Sequence, residues 1–192
     1  METNQAPAPK KKPFYKKVWF WVIVVIVILI IAGSGSSTPT KVGSNANGSA
    51  NTSNQPQTAT TYKVGDNIKL GDSILTVNSV SVSQGADYMT PSAGNEWIDL
   101  NVTIQNTAST QQNVTTLGQM FLKDAGGNSY QITVTDKGLS NPSSSLDGTI
   151  IANSKRTGWV GFEVPKGDKG LQFQYNGSMF GGDGSIVVDL GR

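Results

Sequence analysis

Glu96-Trp-Ile-Asp-Leu-Asn-Val-Thr-Ile-Gln-Asn106 alternates apolar and polar residues along its length. Ile98, Leu100, Val102 and Ile104 occupy every second position, with Asp99, Asn101, Thr103 and Gln105 between them. Successive side chains of a strand point to opposite faces, so this pattern predicts a strand with one face on a core and the other in water.

The same alternation recurs on both sides of it. Towards the N-terminus, Tyr62-Lys-Val-Gly-Asp66 opens a domain, and Ile68–Leu70 and Ser73–Val82 flank Gly71-Asp72, a pair suited to a two-residue hairpin. The apolar phase changes between Val77 and Val80, which predicts a bulge or a strand that switches sheets. Gln84 to Asn95 reads as a polar loop carrying Tyr88, Met89 and Pro91. Towards the C-terminus, Gln119–Lys123 and Ser129–Thr135 flank Asp124-Ala-Gly-Gly-Asn128, a second hairpin signal. Asp136 to Gly148 reads as a Ser-rich loop. Val160, Phe162 and Val164 restore the alternation until Pro165 ends it, Leu171, Phe173 and Tyr175 share a face, and Ile186, Val188 and Leu190 close the chain. About eight short strands with no convincing amphipathic helix predict an all-β fold, an antiparallel sandwich or barrel over residues 62–192.

Ahead of this domain lies Val18–Ala32, fifteen apolar residues behind Lys10, Lys11, Lys12, Lys16 and Lys17. At about 1.5 Å per residue that run covers about 22 Å of the roughly 30 Å of hydrocarbon in a bilayer. No charge intervenes between Lys17 and Lys41, so a helix over 18–37 is long enough to cross. Tyr15, Trp19 and Trp21 stand where interfacial aromatics belong, and Lys16 and Lys17 can snorkel to the headgroups. The expected order is a basic cytoplasmic tail over 1–17, a transmembrane signal-anchor over 18–37, and a disordered linker over 38–61, rich in Ser, Thr, Asn and Gly. The lysines keep the N-terminus in the cytoplasm and export the C-terminal domain. The alternative is a signal peptide cut near Ser34, after Ala32-Gly33, which would release a secreted protein. The preferred reading is the anchor, on the length of the run and its aromatic belt.

Composition narrows the chemistry. The net charge is +2, but without the five N-terminal lysines and Glu2 the 15 basic and 13 acidic residues become 10 and 12. The exported part is therefore slightly acidic and carries no sign of nucleic-acid binding. The chain has no Cys and no His, which excludes Ser-His-Asp and Cys-His catalysis, the familiar zinc sites, disulfides and a lipoprotein signal. No cofactor is implied.

Four motifs in order carry a family resemblance: Tyr62–Asp66 leading into Ser73–Val80, Gly94–Asn106, Phe121–Tyr130 and Gly158–Pro165. The chain resembles the bacterial extracellular family known as domain of unknown function 4352, whose members are similar to immunoglobulin-like sandwiches related to a small secreted mycobacterial antigen. The resemblance implies an immunoglobulin-like sandwich displayed on a Gram-positive surface behind an anchor and linker. It implies no catalytic residues, and fold alone does not imply function.

The remaining candidates each have a structural reading beside the functional one. Glu96, Asp99 and Glu163 are the carboxylates within strong strand patterns, and a glycosidase would need two of them about 5–10 Å apart across a cleft. Glu96 and Asp99 are three residues apart and point to opposite faces, so solvated strand positions are expected. Asp124 with Asn128, and Asp183 with Ser185, offer oxygen ligands for Ca²⁺, but such clusters are also what hairpin turns use. Trp97 and Trp159 stand out of phase with the aliphatic face, as edge packing or as a recognition patch. Tyr88, Met89, Met179 and Phe180 place apolar side chains in polar loops and are the candidate partner-binding residues. The expected function is non-enzymatic recognition of an extracellular protein or envelope component at the cell surface, with the lipid bilayer as the anchor's partner. A carboxylate-dependent hydrolase is the alternative.

Overall fold

Asn95–Asn106 forms the central strand, β5, and it buries the four aliphatic residues its alternation singles out: Ile98, Leu100, Val102 and Ile104 are each 0% exposed. The computed structural model describes residues 37–42, 60–86, 88–140, 145–177 and 184–192, all within the unit Ser36–Arg192. The strands ahead of β5 are β1 (Thr40–Val42), β2 (Thr61–Lys63), β3 (Asn67–Leu70) and β4 (Ser73–Ser83). Those behind it are β6 (Gln112–Val114), β7 (Met120–Lys123), β8 (Ser129–Thr133), β9 (Gly148–Ile150), β10 (Lys155–Pro165), β11 (Gln172–Asn176) and β12 (Ser185–Asp189).

Two sheets result. In the first, β5 lies antiparallel between β4 and β10, and β3 and then β1 extend the β4 side. In the second, β11 lies antiparallel between β7 and β12, with β2 added parallel to β12. β8 serves both: Ser129–Gln131 pairs with β7, and Ile132 and Thr133 pair with β10. The inner faces share one apolar core, in which Phe162 of β10 meets Phe173 of β11 edge-on at 6.3 Å. This is a β-sandwich.

The expected turns are present. Leu70 pairs with Ser73 across Gly71, whose φ of 57° suits the first position of a primed two-residue hairpin. The register shifts between Val77 and Ser79, so Asn78 is the bulge behind the phase change. Lys123 pairs with Ser129 around the Asp124–Asn128 turn.

Other elements differ from expectation. Among the described residues there are twelve strands rather than about eight, because β1, β2, β6 and β9 are three-residue strands, too short to carry an apolar alternation. β1 falls inside the segment expected to be disordered linker. It pairs with β3, Lys41 Nζ lies 2.6 Å from Asp66 Oδ1, and Tyr62 donates its hydroxyl hydrogen to the Pro39 carbonyl at 2.7 Å. Asp136–Ser140 winds into a helical turn where loop was expected. Thr116–Gln119 is a type II turn, with Leu117 at φ −64°, ψ 121° and Gly118 at φ 85°, ψ −14°. The expected tail and anchor, with Tyr15, Lys16, Lys17, Trp19 and Trp21, lie outside the described residues, as does most of the linker. Among the described residues no helix is long and apolar enough to cross a membrane.

Candidate functional site

The odd-numbered side chains of β5 face away from the core, and the structure divides that outer face into two zones. Over Asn101 to Gln105 it is a polar surface in which the side chains satisfy one another. Asn78 Nδ2 donates to Asn101 Oδ1 at 2.8 Å and to Thr103 Oγ1 at 2.9 Å, and Thr103 Oγ1 lies 2.7 Å from Thr157 Oγ1. A shallow polar groove runs across it between Asn67 and Lys155.

Over Trp97 and Asp99 the same face is covered. Trp97 is 3% exposed and Asp99 is 0% exposed, so the expectation of a solvated Asp99 is wrong. The cover is the chain after β8, which folds back across the sheet. Thr135 Oγ1 donates to Asp99 Oδ1 at 2.5 Å, and Thr135 packs on Gly161, where a Cβ would collide with it. Glycine is required there for the close approach. Burial pushes the Asp99 carboxyl above its usual range, the Thr135 bond offsets part of that, and the neighbouring Asp136 charge adds to it.

The two other strand carboxylates are also engaged. Glu96 is 5% exposed and accepts from the Gly167 amide at 3.2 Å, so it too is not a solvated position. Glu163 accepts from Asn95 Nδ2 at 2.8 Å, the Ser92 amide at 3.0 Å and Trp97 Nε1 at 3.3 Å. These donors, Asn95 foremost, hold its carboxyl down to about 2. Trp97 thus packs at the covered end of the sheet.

Beside the helical turn, along β10, lies a cavity of about 190 Å³ lined by side chains of both faces. Ile132, Val134, Leu139, Leu146 and Trp159 give it an apolar wall. Val134 and Leu139 remain 62% and 57% exposed. The opposite rim is held by polar contacts. Thr116 donates its amide to Asp147 Oδ1 at 2.6 Å and its hydroxyl to Asp147 Oδ2 at 2.9 Å. The Arg156 guanidinium donates to the carbonyls of Asp147 and, at 3.1 Å, Thr149. Lys137 Nζ lies 5.8 Å from the centre of the Trp159 ring, a cation–π contact at the edge of the recess. The volume is below that of a site for a drug-sized ligand and suits an inserted side chain or a small apolar group.

Of the residues singled out in the sequence, Trp159 lines this cavity, but Tyr88 and Met89 do not. Their loop forms a tight turn in which Ala86 and Met89 exchange backbone hydrogen bonds at 2.9 Å, leaving Tyr88 fully exposed at the tip. Met179, Phe180 and Asp183 lie outside the described residues. Asp124 works within its turn: Asn128 donates its amide to Oδ1 at 2.8 Å and its side chain to Oδ2 at 2.6 Å, and Tyr130 donates from 2.9 Å. These bonds, that of the Asn128 side chain first, lower its carboxyl. Val134, Leu139 and Leu146 were missed in the sequence. The available signal was two lone leucines within a Ser-rich stretch, which no periodicity marks.

Fold and cavity together define a β-sandwich domain with a small apolar recess beside β10. Residues 62–186 match the family described as "Domain of unknown function (DUF4352)", and the chain belongs to that family. Three solved structures are similar. The yjhA protein from Bacillus subtilis is 23% identical with a TM-score of 0.56, covering 67% of this chain and 99% of that one. The ycdA protein of the same species, described as a candidate lipoprotein, is 21% identical with a TM-score of 0.50, covering 65% of this chain and 38% of that one. The secreted protein MPT63 from Mycobacterium tuberculosis is 16% identical with a TM-score of 0.49, covering 68% of this chain and 97% of that one. No curated protein sequence matches the chain.

Proposed function

We propose that this chain is a membrane-anchored, surface-displayed interaction module, immunoglobulin-like in fold, that binds without catalysing a reaction. Its partner is an extracellular protein or envelope component that inserts an apolar group beside Trp159. The observation that carries the reading is the pairing of an apolar cavity with Val134 and Leu139, 62% and 57% exposed at its wall. Apolar side chains held in water around a preformed recess gain most when a partner covers them. The polar groove on the outer face of β5 supports recognition less well, because its amides and hydroxyls already bond one another. The apolar run Val18–Ala32 behind five lysines supports the anchored, exported location, and the similarity to a candidate lipoprotein is in keeping with it.

Crosslinking pull-down from intact cells tests the reading. With a photoreactive residue beside the cavity, a discrete partner is expected, and Leu139→Asp should cut its capture about tenfold or more by placing a charge in the recess. Capture unchanged by Leu139→Asp but lost with Tyr88→Ala would move the site to the 84–94 loop. A purified chain that turned over a cell-wall or peptide substrate would sink the non-enzymatic reading. Ala32-Gly-Ser34 favours a second fate, release by signal cleavage. Intact mass of the cell-associated protein separates them: a chain starting at Met1 is anchored, and one starting near Ser34 is released.

A further inference from the structure

Three buried oxygens on the covered half of the outer face lack partners: Asp99 Oδ2, Asp136 Oδ1 and Ser81 Oγ. They come from three elements and share one patch. Ser81 stands directly across from Asp99 in the β4–β5 ladder, and such neighbours project to the same face with Cβ atoms about 4.5–5.5 Å apart. Asp136 reaches back over the same strand, where its Oδ2 accepts from Ser83 Oγ at 3.3 Å, two residues beyond Ser81. Its charge also acts on the Asp99 carboxyl.

Asp99 is 0% exposed, and a carboxylate oxygen buried without a partner is costly unless something compensates it. No cation of the described residues pairs with it. Lys137, the neighbouring one, has its Nζ over the Trp159 ring, from where its charge offsets less than the Asp136 charge adds, and the ion pairs join Lys41 to Asp66 and Arg192 to Glu96.

We propose that Asp99, Asp136 and Ser81 form a binding site for a hard divalent cation, Ca²⁺ being the ion that fits. Two carboxylates and a hydroxyl are an all-oxygen donor set, and Ca²⁺ accepts irregular geometry and completes its shell with water. A water molecule alone would donate to both carboxylates but leave two like charges facing one another. A proton on Asp99 would let it donate to Asp136 or Ser81, but would leave the Asp136 charge without a counter-ion. A cation answers all three atoms. Among the described residues no third carboxylate joins the pair, so the affinity belongs in the weak range of extracellular modules, about 10⁻⁴–10⁻³ M. The bound ion ties the helical turn after β8 to β4 and β5. This site stands independently of the partner-binding reading of the cavity.

The test is thermal melting of the purified full chain at neutral pH, with Ca²⁺ added as chloride against NaCl of equal ionic strength. About 10 mM Ca²⁺ is expected to raise Tm by about 3–8 °C. Asp99→Asn and Asp136→Asn should each lose that shift, while Asp124→Asn, in the exposed turn, keeps it. Because Asp99→Asn removes a buried charge at constant volume, it should melt no lower than the Ca²⁺-free wild type, which separates a lost ion from a lost fold. The carboxyl carbon resonance of Asp99 gives a second readout and should move with Ca²⁺ at fixed pH. No Tm shift in the wild type, an equal shift in Asp99→Asn, or an Asp99 resonance indifferent to Ca²⁺ would overturn the proposal.

Discussion

Glu163 ties β10 to the loop after β4 through a bond from Ser92 and to β5 through bonds from Asn95 and Trp97. Donors favour the ionised carboxyl, so its folded value of about 2 lies below the ordinary 4.5. A group whose folded value is depressed stabilises the fold above the unfolded value and loses that contribution as pH falls. Stability should therefore decline from about pH 4.5 towards about pH 2, and Glu163→Gln should flatten that part of the curve. At neutral pH the substitution should cost about 1–2 kcal/mol, since a neutral amide keeps some of the bonds but not their charge assistance. Urea titrations across that pH range measure both effects; identical acid slopes in the two proteins would refute the assignment. Asp99 marks the limit of reading such residues in sequence. Period two placed it on the correct face of β5, but its cover comes from Thr135, 36 residues further on, and no local pattern records that return.

Hairpins and the long central strands were legible because their signals are local: alternation along β5, Gly71-Asp72 between β3 and β4, and a phase change at the Asn78 bulge. β1 was not, because Thr40-Lys-Val42 is indistinguishable from polar linker until its partners are known. What holds it is the β3 ladder, the Tyr62 hydroxyl on the Pro39 carbonyl, and the Lys41–Asp66 pair. The ion pair should contribute least, because Lys41 is 49% exposed and such pairs are worth about 0–1 kcal/mol. Tyr62→Phe should cost about 0.5–1.5 kcal/mol and accelerate tryptic cleavage after Lys41, because a strand must leave its sheet to enter a protease. Cleavage at Lys41 in the native wild type as fast as in the denatured chain would show that β1 is not docked.

For the whole molecule, sequence and structure disagree on where the domain begins. The alternation and the family match both start at Tyr62, whereas the fold takes in residues from Ser37, since Pro39 accepts from Tyr62 and β1 extends the first sheet. Cutting the chain near Ser34 would therefore leave the sandwich whole, so the anchored and released fates differ in location and not in fold. A boundary drawn at the start of the sequence pattern would instead strip an edge strand and leave β3 as the new edge of the sheet, beside the largely buried Leu70. A fragment of residues 37–192 should melt with the same midpoint as the domain in the full chain. A fragment of residues 60–192 loses the β1 ladder, the Tyr62 bond and the Lys41–Asp66 pair together. At about 2–3 kcal/mol for that set, its Tm should fall by about 5–10 °C, and its bare edge should make it more prone to self-associate. Differential scanning calorimetry of the two fragments decides the boundary: equal midpoints would return residues 37–42 to the linker.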